Sequence, residues 1–461
     1  MHHVIIGAGP AGVVAAETLR KADPSAKITI LGKEKEPPYS RMAIPYKLKG
    51  KIEEEGMYLR HDTEHFKALD IDIRQVNVDK INSDSKTVDL SDGSQQGYDK
   101  LLIATGATPL TPPVKGMELP GVHKSWTMDD MRGIESLATK GAKVVQIGAG
   151  FIACTNMEGI VARGVELTIV EMEDRMVPRM MDEIAGNMIK DWCIDQGVNV
   201  LTNGMVTSIE ESSNGASRYQ VTVKQKGAVA AAEPVAEAKE SGGILSAIKD
   251  ALFGGGSAVP ETAPVSDEVK LDADLVIVAT GVRANTGFLE GTDIAVDQGI
   301  LINENMETSV ADIYAAGDCA QGKDFSTGQQ EVHAIQPVAV EHGRFAAQNM
   351  LGRSVENPGS LNMNVLDAVG LISCSYGLWM GVEGGDSVKV VEKDMWRYLN
   401  LQFDGDVLVG STAIGTAQHM GAMRGLIQMR VNLGEWKSIL MEEPTRVMEA
   451  YLALTQSTVI K

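Results

Sequence analysis

Residues 7–17 read GAGPAGVVAAE and residues 148–158 read GAGFIACTNME. Each stretch follows a short apolar run, His3–Ile6 in the first case and Ala142–Ile147 in the second, and each continues into an apolar-rich segment with helical character. A GxGxxG turn between a buried strand and a helix is the geometry that holds a dinucleotide pyrophosphate. Gly7 permits the tight turn and Gly9 lets the backbone approach the anion. Gly12 lets helix and strand pack closely, and the helix start, with Pro10 and Ala11 in its first turn, faces the phosphates. In the second copy Gly148 and Gly150 hold the first two roles, Ala153 stands at the third, and Phe151 and Ile152 open the helix.

The strand after each loop should end in an acid that accepts from ribose hydroxyls. After Ile28–Leu31 the candidate is Glu34, with Lys33 leaving the register open by one residue. After Leu167–Val170 it is Glu171, followed by Met172-Glu173-Asp174 with no arginine pair. A carboxylate there repels a 2′-phosphate, so the second loop is expected to take NADH over NADPH.

Two further strands end in small residues. Tyr98–Gly106 closes in Ala104-Thr105-Gly106, and Asp312–Cys319 closes in Ala315-Ala316-Gly317-Asp318-Cys319. With these in place, and in this order, the chain resembles the pyridine nucleotide–disulfide oxidoreductase superfamily over roughly residues 1–350. The resemblance implies an α/β fold with two Rossmann-like domains, for FAD and NAD, and a C-terminal α+β domain. Asp318 would hydrogen-bond the FAD ribityl and phosphate region, and Thr105 would lie in the crossing that closes the FAD domain. The strand Leu275–Gly281 would return the chain from the NAD domain, and Pro337 would border the flavin ring. The implied layout is an FAD domain split across 1–112 and 282–352, an NAD domain at 113–281, and an interface domain at 353–461.

The family divides by electron acceptor. Where thiol-dependent members carry a redox cysteine, this chain reads Tyr39-Ser40-Arg41-Met42, and a thioether forms neither thiolate nor mixed disulfide. The resemblance therefore narrows to the NADH-dependent rubredoxin and ferredoxin reductases and the flavoprotein part of nitrite reductase. The implied function is hydride uptake from NADH and electron delivery to a redox protein or an associated metalloprotein subunit. The alternatives are an NADH oxidase or small-molecule (thiol or CoA-disulfide-like) reductase, and a flavin-binding subunit of a larger complex. Arg41 is read either as an FAD contact or as a surface ion pair. Thr155 stands where relatives place a glutamate near the nicotinamide, with Glu158 one turn on as a substitute.

Composition bounds the rest. A net charge of −20 argues against nucleic-acid binding, which needs lysine and arginine in excess. It favours a partner with a basic face. Four scattered cysteines carry no metal-ligand spacing, so no metal is expected. No apolar run reaches the roughly 18 residues of a membrane span, and the first strand begins almost at residue 1, so a cytoplasmic protein is expected. The resemblance of residues 353–461 to the family's C-terminal domain implies a homodimer or complex subunit. Residues 225–268 are Ala/Glu- and Gly-rich and enclose a helix-like ILSAIKDALF at Ile244–Phe253, either a docking helix or a local loop. His333, Cys154 and Cys319 read as buried packing residues.

Overall fold

A computed structural model describes residues 1–62, 64–213, 215, 217–225 and 268–456. The Ile244–Phe253 expectation lies outside the described residues. The strands on either side of that segment, Tyr219–Gln225 and Glu268–Ala273, pair antiparallel, with Lys224 opposite Glu268.

The opening residues build a parallel sheet. His2–Ile6 lies between Lys27–Gly32 and Lys100–Ile103, flanked by Ile71–Gln75 on one side and Ile313–Ala315 on the other. The sheet is therefore assembled from stretches far apart in the chain. Its inner strands are apolar and buried, as in a parallel sheet covered on both faces. On one face lies the Pro10–Ala22 helix, which buries Ala11, Val13, Ala15, Ala16 and Leu19. Proline suits its first turn, where the missing N–H has no partner to lose. Arg20 and Lys21 in the last turn complement the helix dipole. Arg20 also ties that end down by donating to the carbonyls of Leu69, Asp70 and Pro24.

The second sheet repeats the scheme. Lys143–Ile147 lies between Glu166–Val170 and Leu275–Val278, with Asn199–Leu201 and Val122–His123 outermost, all parallel. The Phe151–Val161 helix follows its first loop. The two sheets are joined by a ribbon in which Ala107–Pro109 pairs antiparallel with Val282–Ala284.

The C-terminal sheet is antiparallel, in the order Met363–Ala368, Leu371–Gly377, Val407–Ile414, Arg397–Asp404, Asp386–Glu392. One face packs on the Met420–Gln428 helix through Met423, Leu426 and Ile427. From the opposite face Leu366, Tyr398 and Ile414 enter the core of the second sheet, together with Ile44 and Leu48 of a short helix at Ile44–Leu48. That shared core fixes the C-terminal sheet and the 44–48 segment against the second loop's helix. Among the described residues, no helix is long and apolar enough to cross a membrane.

Candidate functional site

Both loops take the same shape. Gly7 has φ +115° and Gly148 φ +97°. A Cβ on Gly7 would sit 2.0 Å from the Ala104 carbonyl oxygen, and one on Gly148 would sit 2.5 Å from that of Ala279. Each loop is thus pressed against the neighbouring Ala-Thr-Gly strand end, a contact open only to glycine. The helices start on Gly9 and Gly150, both extended and neither with a side-chain cap. Their first-turn N–H groups are left for a ligand.

A cleft of about 830 Å³ runs from the first loop to the helix that follows the second. Its first-loop wall carries Gly7, Gly9, Pro10 and Ala11; a Cβ on Gly9 would meet nothing within 4 Å. The strand end Ala104-Thr105-Gly106 lines it as well, with Gly317, Asp318 and Pro337 further along. Phe151, Ile152 and Thr155 reach it from the second loop's helix. Gly12, Gly148, Gly150, Glu171 and Gly281 are not in its wall. Gly12 instead lets the first helix touch its own loop, since a Cβ there would lie 2.0 Å from the Gly7 oxygen.

Asp318 decides whether FAD fits. Its carboxyl lines the cleft and accepts no side-chain hydrogen bond among the described residues. Burial pushes its pKa up to about 6, against a downward pull from Arg41. Only its own backbone N–H donates to this desolvated carboxyl, so acceptor positions remain, and the hydroxyls of a ribityl chain are donors of the right kind. Together with the uncapped helix start at Gly9, this set of residues fits a dinucleotide flavin.

Glu34 and Arg41 both line the cleft and hold each other at 2.5 Å. Arg41 also donates to the Tyr39 hydroxyl and the Trp126 carbonyl, and its guanidinium lies 5.2 Å from the centroids of both rings. Arg41 is thus an ion pair within the cleft wall. Trp126 was missed in the sequence; its signal was the Thr127–Asp130 capping box immediately after it.

Glu171 is buried, accepting from the backbone N–H of Ala149 at 2.6 Å and of Glu173 at 2.9 Å. Two of a carboxylate's roughly four acceptor positions are thereby used to fasten the second loop, and two remain. Thr155 turns its hydroxyl back to the carbonyls of Phe151 and Ile152. Glu158, considered as its substitute, is paired with Lys49 instead. Thr105 donates to the Asn285 carbonyl, stitching the ribbon. His333 is buried against Asp324 at 2.8 Å and does not line the cleft. All four cysteines are buried, and none lines it. Met42 does, at 42% exposure.

A family model described as pyridine nucleotide-disulphide oxidoreductase matches residues 1–343. The NADH-dependent phenylglyoxylate dehydrogenase subunit epsilon of Aromatoleum evansii is 28% identical over 457 residues, 98% of this chain and 97% of that one. The NADH oxidase of Methanocaldococcus jannaschii is 31% identical over 362 residues, 76% of this chain and 70% of the relative. In a solved covalent putidaredoxin reductase–putidaredoxin complex, one chain superposes with TM-score 0.82 over 98% of both chains. At 23% identity that likeness is one of fold. The chain belongs to the pyridine nucleotide-disulphide oxidoreductase family and is an FAD- and NAD(H)-dependent oxidoreductase.

Proposed function

We propose that the protein takes hydride from NADH and passes the electrons, through bound FAD, to a redox protein such as rubredoxin, ferredoxin or a metalloprotein subunit of the same assembly. The observation that carries this is the chemistry of the cleft: the first nucleotide loop and the helix that follows the second both open on it, and no thiol lines it. Burial raises the Cys154, Cys193, Cys319 and Cys374 thiols, so none supplies a thiolate. FAD, when bound, supplies the exchange between two-electron and one-electron carriers. Gly7, Gly9, Pro10, Ala11 and Gly12 would seat its pyrophosphate. Glu34 and Arg41 would meet the adenosine half, Asp318 the ribityl hydroxyls, and Ala104, Thr105, Gly106, Gly317 and Pro337 the remaining edges. Gly148, Gly150, Phe151, Ile152, Glu171 and Gly281 would seat NADH.

The proposed division is an FAD domain at 1–112 and 282–352, an NAD domain at 113–281 and an interface domain at 353–461. It is supported by the sheet that gathers strands 2–103 and 313–315 and by the ribbon near 112 and 281. We place the protein in the cytoplasm as a homodimer or a complex subunit; the end-to-end match to a relative that is itself a subunit favours the second form. Anaerobic NADH should bleach the bound flavin, and a ferredoxin or rubredoxin should restore its colour. An NADH oxidase is the second reading, supported by the M. jannaschii relative. Oxygen uptake that accounts for all the NADH consumed, as peroxide or as water, with no protein acceptor reduced, would decide for it.

A further inference from the structure

The Phe151–Val161 helix carries three polar side chains that sequence reasoning treated unequally. Thr155 is satisfied by its own helix, and Glu158 by Lys49. Asn156 remains. It is 4% exposed, makes no side-chain hydrogen bond among the described residues, and lines the cleft beside Phe151, Ile152 and Thr155. These four positions lie on one helical face. Behind them Gly159 brings the helix against the 44–48 segment, where a Cβ would sit 2.7 Å from the Pro45 oxygen. The helix that carries the carboxamide is therefore held in place.

A primary amide has two donor hydrogens and one acceptor oxygen, and at the cleft wall the described residues use none of them. A ligand completes it best with the matching pattern, an acceptor beside a donor, which is another primary amide. We infer that Asn156 pairs with the carboxamide of the nicotinamide ring and thereby selects a carboxamide-bearing hydride donor. The inference rests on the reading that NADH enters at the second loop. It gives this helix a neutral amide for the nicotinamide end, where Thr155 and Glu158 are both engaged elsewhere.

The test uses the flavin-loaded protein and calorimetric titration with three probes: NAD⁺, its 3-acetylpyridine analogue and ADP-ribose. The analogue keeps the ring acceptor and lacks the donor amine; ADP-ribose lacks the ring. The wild type should bind NAD⁺ about tenfold more tightly than the analogue, the scale of one to two net hydrogen bonds. Asn156→Ala and Asn156→Leu, which differ in the volume left behind, should both lose that preference while ADP-ribose affinity and flavin content hold. Equal wild-type affinity for NAD⁺ and the analogue overturns the assignment without reference to any variant. So does an unchanged preference in the variants, or a loss of flavin with NAD⁺ affinity intact. If the wild type binds neither NAD⁺ nor ADP-ribose, the second-loop reading falls too; normal ADP-ribose binding with an unchanged preference overturns the Asn156 assignment alone.

Discussion

Asp318 shows how one residue couples stability to cofactor. Burial raises its pKa from 3.8 to about 6, so the folded chain holds its proton more tightly than the unfolded chain does. For an acid shifted this way, the ionised form works against folding. The cost is absent below the unfolded value, grows between about 4 and 6, and is full above 6. Asp318→Asn removes the ionisation. In the apoprotein it should raise the thermal midpoint at pH 7.5 and leave it nearly unchanged at pH 4, while weakening flavin retention. Thermal melts of the flavin-free protein at the two pH values, with flavin content measured after gel filtration, check both halves. An equal shift at both pH values would assign the effect to packing rather than charge.

At the scale of elements, the link between the C-terminal sheet and the second nucleotide unit is polar as well as apolar. Asp182 caps the Glu183–Asp195 helix by accepting from the Ala185 N–H at 2.9 Å. Its other oxygen accepts from Tyr398 and from Asn400, both on the Arg397–Asp404 strand. Trp192 of the same helix donates to the Ala368 carbonyl and stands edge-on to Trp396, 5.2 Å between centroids. A hydrogen bond to a charged acceptor contributes about 1.5–3 kcal/mol, more than a neutral one. Tyr398→Phe should therefore lower stability by about 2 kcal/mol in urea unfolding, less if Asn400 compensates. A change below about 0.5 kcal/mol would show that the apolar core alone holds the two units together.

Across the whole molecule the net charge of −20 governs how partners arrive. Surface charge acts mainly on association rate and is screened over about 8–10 Å at ordinary ionic strength. An acceptor presenting a basic face should reoxidise the reduced flavin more slowly as salt is added. An acidic acceptor should do so faster, because salt relieves repulsion. Stopped-flow reoxidation between low and high salt measures the sign, and a rate indifferent to salt would mean that docking avoids the acidic surface.

The two loops and their strands were legible because glycine spacing and apolar runs are local. Gly7, Gly148 and the strand ends at Ala104 and Ala279 fall where the pattern places them. The absence of a redox thiol was equally legible, since it follows from the identity of residue 42. What only the tertiary structure decided depends on which side chains meet across long sequence separations. Glu34 meets Arg41 in a cage completed by Trp126, 85 residues on from Arg41. Glu158 is drawn away from the cleft by Lys49, 109 residues before it. Asn156 looks like any polar residue on a helix until folding buries it in the wall of the cleft. Backbone turns are set by neighbours in the chain, whereas the partner of a charge or an amide is set by what folding brings beside it.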